Sequence, residues 1–264
     1  MKPCHGDRAL PDFLIIGAQK SATTSLLSYL GQHPGIRLPR KKATHYFDLN
    51  YSRGTAWYAR HFPRTGGLFA RLSPFASPFD RPWLTGESCP SYMFLAEVPH
   101  RVKATLPDVK IIVSLRDPVD RLISQFYHEH RKGRAAGGLE SYIADSLQSN
   151  WPVSGGDIEK IRQRHAVPRG FYADQLAHWL DFFPKERFHL LRFDRLVNDP
   201  RTTLNQIFQF LDLPEHDVDT SQILNKGSKT DSGTANQELL SNLHELYRRK
   251  NADLSKTFGT DFSW

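Results

Sequence analysis

The stretch Phe13-Leu14-Ile15-Ile16-Gly17-Ala18-Gln19-Lys20-Ser21-Ala22-Thr23-Thr24-Ser25 constrains this chain more than any other. Four uninterrupted apolar residues suit a strand buried on both faces, as strands in parallel sheets are. Gly17 ends the run, and a helical pattern carrying Leu26, Leu27 and Leu30 starts soon after. A strand, a tight turn and a helix N-terminus in succession leave free N–H groups and the positive end of the helix dipole at the turn, where an anionic phosphate is stabilised. Lys20 adds a full charge, and Ser21, Thr23, Thr24 and Ser25 add hydroxyl donors. This is not a Walker A loop, because G-x-x-x-x-G-K-[ST] needs a glycine directly before the lysine and Gln19 stands there. Taken alone, the segment also fits a plain strand–turn–helix with a surface lysine.

A second such junction lies about a hundred residues on. Val109 to Leu115 is β-rich and almost continuously apolar, so it reads as another buried strand. It runs into Arg116-Asp117-Pro118, where Asp117 suits an N-cap and Pro118 the first helical position. Helical spacing then puts Arg121, Ser124 and His128 on one face. In a parallel sheet ligands gather outside the C-terminal strand ends, so Lys20 and Arg116 fall at one edge. Arg116 offers a bidentate fork for a phosphate and Ser124 a hydroxyl, although a strand-ending arginine beside an aspartate also suits a structural ion pair. Two anion sites at one edge suggest a ligand with phosphates at both ends, such as a 3′,5′-substituted nucleotide.

The rest of the chain alternates strands and helices, which predicts an α/β fold with a central, mainly parallel sheet covered on both faces, and one domain over residues 1–264. Further strands are expected at Gly35–Pro39, Leu84–Glu87 and Phe188–Leu191. Helices are expected over Pro99–Leu106, Leu139–Leu147, Phe171–Phe183, Thr203–Leu211 and Gln237–Asp253. The aromatics Tyr51, Trp57, Tyr58 and Phe62 recur at helix-like spacing and read as core. Arg64–Pro82 reads as a long loop whose Phe69, Phe75, Phe79 and Trp83 would cap a cleft or pack on the domain's own surface. The formal net charge of +7 would draw in anionic ligands. Its basic residues are dispersed, with no basic helix or arm to grip nucleic acid. The two cysteines, Cys4 and Cys89, have no metal-like or redox spacing. His128 and His130 point to different sides of a helix, so no metal is expected. No stretch reaches membrane-span length and no signal-peptide core is visible, so a cytoplasmic protein, or a soluble catalytic domain of something longer, is expected. Oligomeric state is left open.

The pair G-x-x-K-S-x-x-T-S and R-D-P-x-x-R-x-x-S-x-F resembles the two phosphate-binding signatures of the PAPS-dependent sulfotransferases. The likeness is closest to the branch with the heparan sulfate N- and 3-O-sulfotransferase domains and their bacterial relatives. It covers nearly the whole chain, through His45-Tyr46-Phe47-Asp48, Gly86-Glu87-Ser88-Cys89-Pro90-Ser91-Tyr92, Gly170-Phe171-Tyr172 and the closing Phe258-Gly259-Thr260-Asp261-Phe262-Ser263-Trp264. The resemblance implies a P-loop-like three-layer α/β/α fold. PAPS would be the sulfuryl donor and PAP the product, with no metal required. Lys20, Ser21, Ala22, Thr23, Thr24 and Ser25 would hold the 5′-phosphosulfate, Arg116 and Ser124 the 3′-phosphate, and Tyr172 would also bind the nucleotide. Lys226-Gly227 would belong to a late loop closing over the nucleotide. Lys20 would stabilise the leaving phosphate.

The pattern breaks at two places. The resembling branch carries a glutamate base two residues before the His-aromatic-Phe run, and this chain has Ala43 there. Three readings follow: a replaced base, a nucleotide- or acceptor-binding pseudoenzyme, or His45 as the base, since histidine ordinarily titrates near neutrality. Without the resemblance, His45 would read as a packed, hydrogen-bonded histidine. The second break is Ser88, where the glycan-modifying relatives usually have lysine. Glu87 is expected to orient its neighbours more than to move protons. A P-loop kinase is the rival enzyme class, and it would need a magnesium-binding carboxylate and a Walker-type glycine. The acceptor could be a glycan, a lipid or another small molecule.

Overall fold

The computed structural model describes residues 3–65, 83–221 and 236–264. Its centre is a four-stranded parallel sheet of β3 (Phe13–Gly17), β4 (Gly86–Ser88), β5 (Lys110–Leu115) and β6 (Phe188–Arg192), in the spatial order β4-β3-β5-β6. A two-residue antiparallel pair, β1 (Cys4–His5) and β2 (Arg8–Ala9), precedes it. Period-2 alternation splits the strands between two apolar layers. Leu14, Ile16, Ile111, Val113 and Leu190 face one, while Phe13, Ile15, Ile112 and Leu191 face the other.

The first layer packs against α2 (Tyr46–Leu49), α3 (Gly54–Ala59), α4 (Val98–Thr105) and α8 (Tyr172–Leu180). The second packs against α1 (Thr23–Leu30), α9 (Phe193–Asn198) and α10 (Pro200–Phe210). A third apolar cluster joins α5 (Pro118–Arg131), α6 (Leu139–Leu147) and α11 (Gln237–Lys250). Helices α7 (Ile158–Arg164) and α12 (Leu254–Phe258) complete the described elements. Both faces of the sheet are thus covered, and the expected three-layer α/β/α architecture is present. No helix among the described residues is long and apolar enough to cross a membrane.

Most expected elements appear with shifted ends. Asp117 accepts from Asp120 N at 2.8 Å and Pro118 opens α5, as the capping pattern requires. Of the aromatic run, Tyr58 and Phe62 are core at 1% exposure or less, while Tyr51 and Trp57 are only partly buried against it. The expected strand at Gly35–Pro39 is a correction. Only Ile36 bridges Leu84, and the following chain runs beside β4 through Arg37 N to Leu84 O and Ser88 N to Lys42 O. Pro34 and Pro39 lack the N–H groups a ladder needs, which limits the pairing to one bridge. The third strand lies later than expected, at Gly86–Ser88. There Gly86 is required by close approach, since a Cβ would sit 2.5 Å from the Phe13 carbonyl oxygen. The last long helix stops at Lys250, and Asn251 ends it with its N–H on Tyr247 O. Arg64–Pro82 lies largely outside the described residues, as do Phe69, Phe75, Phe79 and Lys226-Gly227.

Candidate active site

The chain leaves β3 for β4 on one side and later places β5 on the other, so the strand order reverses at β3. Ligand crevices open outside the C-terminal strand ends at such a switch point. Three loops meet there: residues 18–22 after β3, 89–91 after β4, and Arg116-Asp117 after β5.

The first loop is built around left-handed backbone at Lys20 (φ 72°) and Ala22 (φ 57°). L-residues adopt that conformation at a cost and keep it chiefly where the surroundings or function demand it. Ala22 sits at the N-cap of α1 and offers no side-chain acceptor to the helix's first N–H groups, which therefore remain for a ligand. Ser21 is fully buried and its hydroxyl has no protein partner. A buried unsatisfied donor costs about 1–3 kcal/mol, and an anion in the loop would remove that cost. Burial and the nearby Arg131 and Arg116 charges lower the pKa of Lys20. Glu129 offsets part of this effect, and the balance of charge around Lys20 is positive.

Arg116 stands across from it. One guanidinium nitrogen bonds Asp120 at 3.1 Å, its plane lies over the Phe193 ring at 4.9 Å, and its buried Nε has no protein partner. The guanidinium is braced from two sides with donors to spare. Tyr172, expected at the nucleotide, is fully buried, and its hydroxyl donates to the Arg116 carbonyl at 2.9 Å. Its place is behind Arg116, as a positioning residue. Ser124 lies on α5 and is only partly buried. Arg121, expected on the same face, is instead fully buried, held by Gln125 Oε1 at 2.6 Å and Ala166 O at 2.5 Å. The far end of α5 carries charges that sequence reasoning left unassigned. His128 is pushed down to about 4 by burial and then by the Lys20, Lys132 and Arg131 charges.

The third group surrounds His45, which is left-handed at φ 54° and precedes α2. Its Nδ1 lies 2.9 Å from Asp48 Oδ2, and that oxygen also accepts from Ser91 Oγ at 2.5 Å. Burial alone would raise the Asp48 carboxyl, but its bonds from His45, Ser91 and the Leu49 amide outweigh this and hold it below the ordinary range. The arrangement fixes the imidazole and leaves its other nitrogen for chemistry. Cys89 Sγ lies 3.4 Å from the same Nδ1. The donor atoms of His45, Asp48 and Cys89 fall within 4.8 Å of one another. Their mutual hydrogen bonds with Ser91 account for that closeness.

Glu87, fully buried, accepts from Thr44 N at 2.8 Å, Tyr58 Oη at 2.8 Å and Tyr92 Oη at 3.1 Å. Both its oxygens are committed, so it orients the 44–46 backbone, and burial raises its pKa. Ala43 is partly buried against the same apolar layer and offers no proton acceptor. Lys42 precedes it, and its ammonium donates to Thr24 Oγ1 in the first turn of α1. Asp48 and Lys42 were the residues that sequence reasoning missed. Asp48 had a signal, the i, i+3 spacing from His45 at a helix start; Lys42 had none beyond its place in a basic turn. The carboxylate of Asp117, engaged in capping α5, is not free for the magnesium that a P-loop kinase would require.

Several known proteins resemble this chain. Human heparan sulfate glucosamine 3-O-sulfotransferase 6 is 32% identical over 280 residues, covering 98% of this chain and 75% of its own length. Human heparan sulfate glucosamine 3-O-sulfotransferase 3A1 is 30% identical, covering 98% of this chain and 64% of that protein. Among solved structures, a sulfotransferase from Alicyclobacillus acidocaldarius is 25% identical with a TM-score of 0.74, covering 96% of this chain and 98% of that one. A mouse sulfotransferase complexed with PAP shares the fold at a TM-score of 0.54 and 15% identity, covering 94% and 88% of the two chains. The model of the sulfotransferase domain matches residues 10–252, and this chain belongs to the sulfotransferase-domain family.

Proposed function

We propose that this protein transfers the sulfuryl group of PAPS to a hydroxyl of an anionic glycan, with His45 as the base in place of the missing glutamate. The observation that carries the reading is the clustering of Lys20, the Ser21–Ser25 helix start and Arg116 after β3 and β5, with the His45–Asp48 pair held on Cys89 and Ser91 in the loop after β4. The loop after β3 takes the 5′-phosphosulfate; Arg116, with Ser124 on the helix that follows it, takes the 3′-phosphate. Lys20 and the loop N–H groups stabilise the charge that grows on the leaving phosphate. The acceptor oxygen attacks sulfur in line, the bond from sulfur to the bridging phosphate oxygen breaks, and the acceptor proton passes to the His45 nitrogen not bonded to Asp48. Asp48 then stabilises the imidazolium. The positive charge comes from side chains and backbone, so no metal is needed.

The glycan is favoured by the relatives' heparan sulfate acceptors and by the cationic cluster of Lys20, Arg131 and Lys132, which suits an acidic chain. A binding protein without turnover is the second reading, and Ala43 is what favours it. Radiolabelled sulfuryl transfer from PAPS to heparan-type oligosaccharides separates the two, using the native chain, His45→Ala and Ala43→Glu. Turnover by the native chain that His45→Ala abolishes supports the enzyme. Turnover only after Ala43→Glu, or in none of the three despite PAP binding, supports the binder.

A further inference from the structure

Lys42 is a cation at the first turn of α1 that the reading above leaves unused. Lys42 sits in the irregular segment beside β4, where its carbonyl accepts from Ser88 N at 3.0 Å. That bond fixes the backbone from which the side chain reaches across to Thr24 Oγ1 in the first turn of α1. The opposite wall of the same turn is met by Ser88, whose hydroxyl donates to Thr23 O at 3.3 Å. Residues 42 and 88 thus approach one helix start from adjacent backbones that are hydrogen-bonded to each other. Ser88 is the position at which the sequence departs from a lysine, and it is fully buried here with no charge to offer.

Resting on the sulfotransferase reading, we infer that Lys42 is a second cation of the sulfuryl-transfer site, supplying from the strand-side segment the charge that Ser88 lacks. Its partner is the sulfonate and the bridging oxygen of the donor, which carry growing charge as the sulfur–oxygen bond breaks and the electron pair passes to the phosphate. A partly desolvated ammonium in this position gains most from an anion, and burial lowers the Lys42 pKa in its absence. Thr24 serves as its resting partner, a neutral hydroxyl that a charged oxygen displaces at little cost. Lys20 and Lys42 then bracket the transferring group from the loop and from the β4 side.

PAPS and PAP differ by the sulfuryl group alone, so the pair reads Lys42 without any acceptor. Calorimetric titration of the native chain, Lys42→Met, Lys42→Arg and Lys20→Ala with each nucleotide is the test. Lys42→Met should lose roughly 10- to 100-fold in PAPS affinity and change PAP affinity by less than about threefold, the scale of one charge-assisted contact. Lys42→Arg should recover part of the PAPS affinity, and Lys20→Ala should lose both nucleotides. Equal PAPS affinity in Lys42→Met and the native chain overturns the inference and leaves the proposed function standing. Equal losses for PAP and PAPS also overturn it, since Lys42 would then support only the shared nucleotide site. A native chain that binds neither nucleotide removes the proposed function itself, and the inference with it.

Discussion

Replacing Asp48 by asparagine is the most informative single change at the reacting end of the site. The substitution preserves shape and removes one charge. His45 Nδ1 at 2.9 Å, Ser91 Oγ at 2.5 Å and the Cys89 thiol at 3.8 Å converge on Asp48 Oδ2, while Oδ1 accepts from Leu49 N at 2.9 Å. An asparagine must keep its oxygen toward His45 and Ser91, because its NH₂ could accept from neither; the Leu49 contact is then lost. His45 therefore stays in place but loses the charge that stabilises its protonated form. A hydrogen bond to a charged group is worth about 1.5–3 kcal/mol. Because the imidazole geometry survives, the lower half of that range applies, and kcat should fall about 10- to 50-fold. PAP affinity, set some distance away by Lys20 and Arg116, should stay within about twofold. Steady-state sulfuryl transfer at saturating PAPS, paired with PAP titration, gives both numbers. A kcat within threefold of the native value, or a parallel loss of PAP binding, would refute the assignment of Asp48 as the support of a catalytic His45.

Other outcomes follow from the same geometry. Because the Asp48 carboxyl is held below its unfolded value near 3.8, its stabilising contribution is present above that pH and is lost as the pH falls through the lower folded value. The melting-temperature gap between native and Asp48→Asn should thus lose its Asp48 part only below pH 3.8. His128, held down to about 4 by burial and neighbouring cations, should titrate higher in the PAP complex, because a bound anion offsets Lys20; NMR titration of its ring protons checks this, and an unchanged midpoint would argue against an anion at that corner. Lys20→Met removes a charge that burial and Arg131 disfavour, so the ligand-free variant should melt at or above the native temperature while losing PAP. A lower melting temperature would mean that Lys20 supports the fold. The double change Lys42→Met with Ser88→Lys should regain at least part of the turnover that Lys42→Met loses; no regain in a folded variant would show that the two positions are not interchangeable.

The parts of the fold that could be read from sequence are those dictated by local chemistry. The runs Phe13–Ile16 and Val109–Leu115 are apolar on both faces, and only a covered parallel sheet satisfies them. Asp117-Pro118 capped α5 as expected, because N-cap chemistry needs no tertiary partner. The segment Gly35–Pro39 was misread because strand-like residues say nothing of where hydrogen-bond partners lie, and two prolines left a single bridge. Arg121 shows the limit of helical spacing. Periodicity put it beside Ser124, but its head group turns into the interior to meet Ala166 and Gln125. Tyr172, expected among the nucleotide-binding residues, spends its hydroxyl on the Arg116 carbonyl, a partner that only packing reveals. Lys42 could not be found from sequence at all. It reaches Thr24 because Ser88 pins the backbone beside it, a contact between segments more than forty residues apart.

The nucleotide site requires that Lys20 and Arg116 hold the two ends of one nucleotide. Calorimetric titration with PAP, without magnesium, using the native chain, Lys20→Ala and Arg116→Ala, measures this directly. Binding by the native chain and its loss in both variants, with all three folded, is the predicted result. Absence of binding by the native chain, or binding that survives either substitution, would contradict a site built from these two residues.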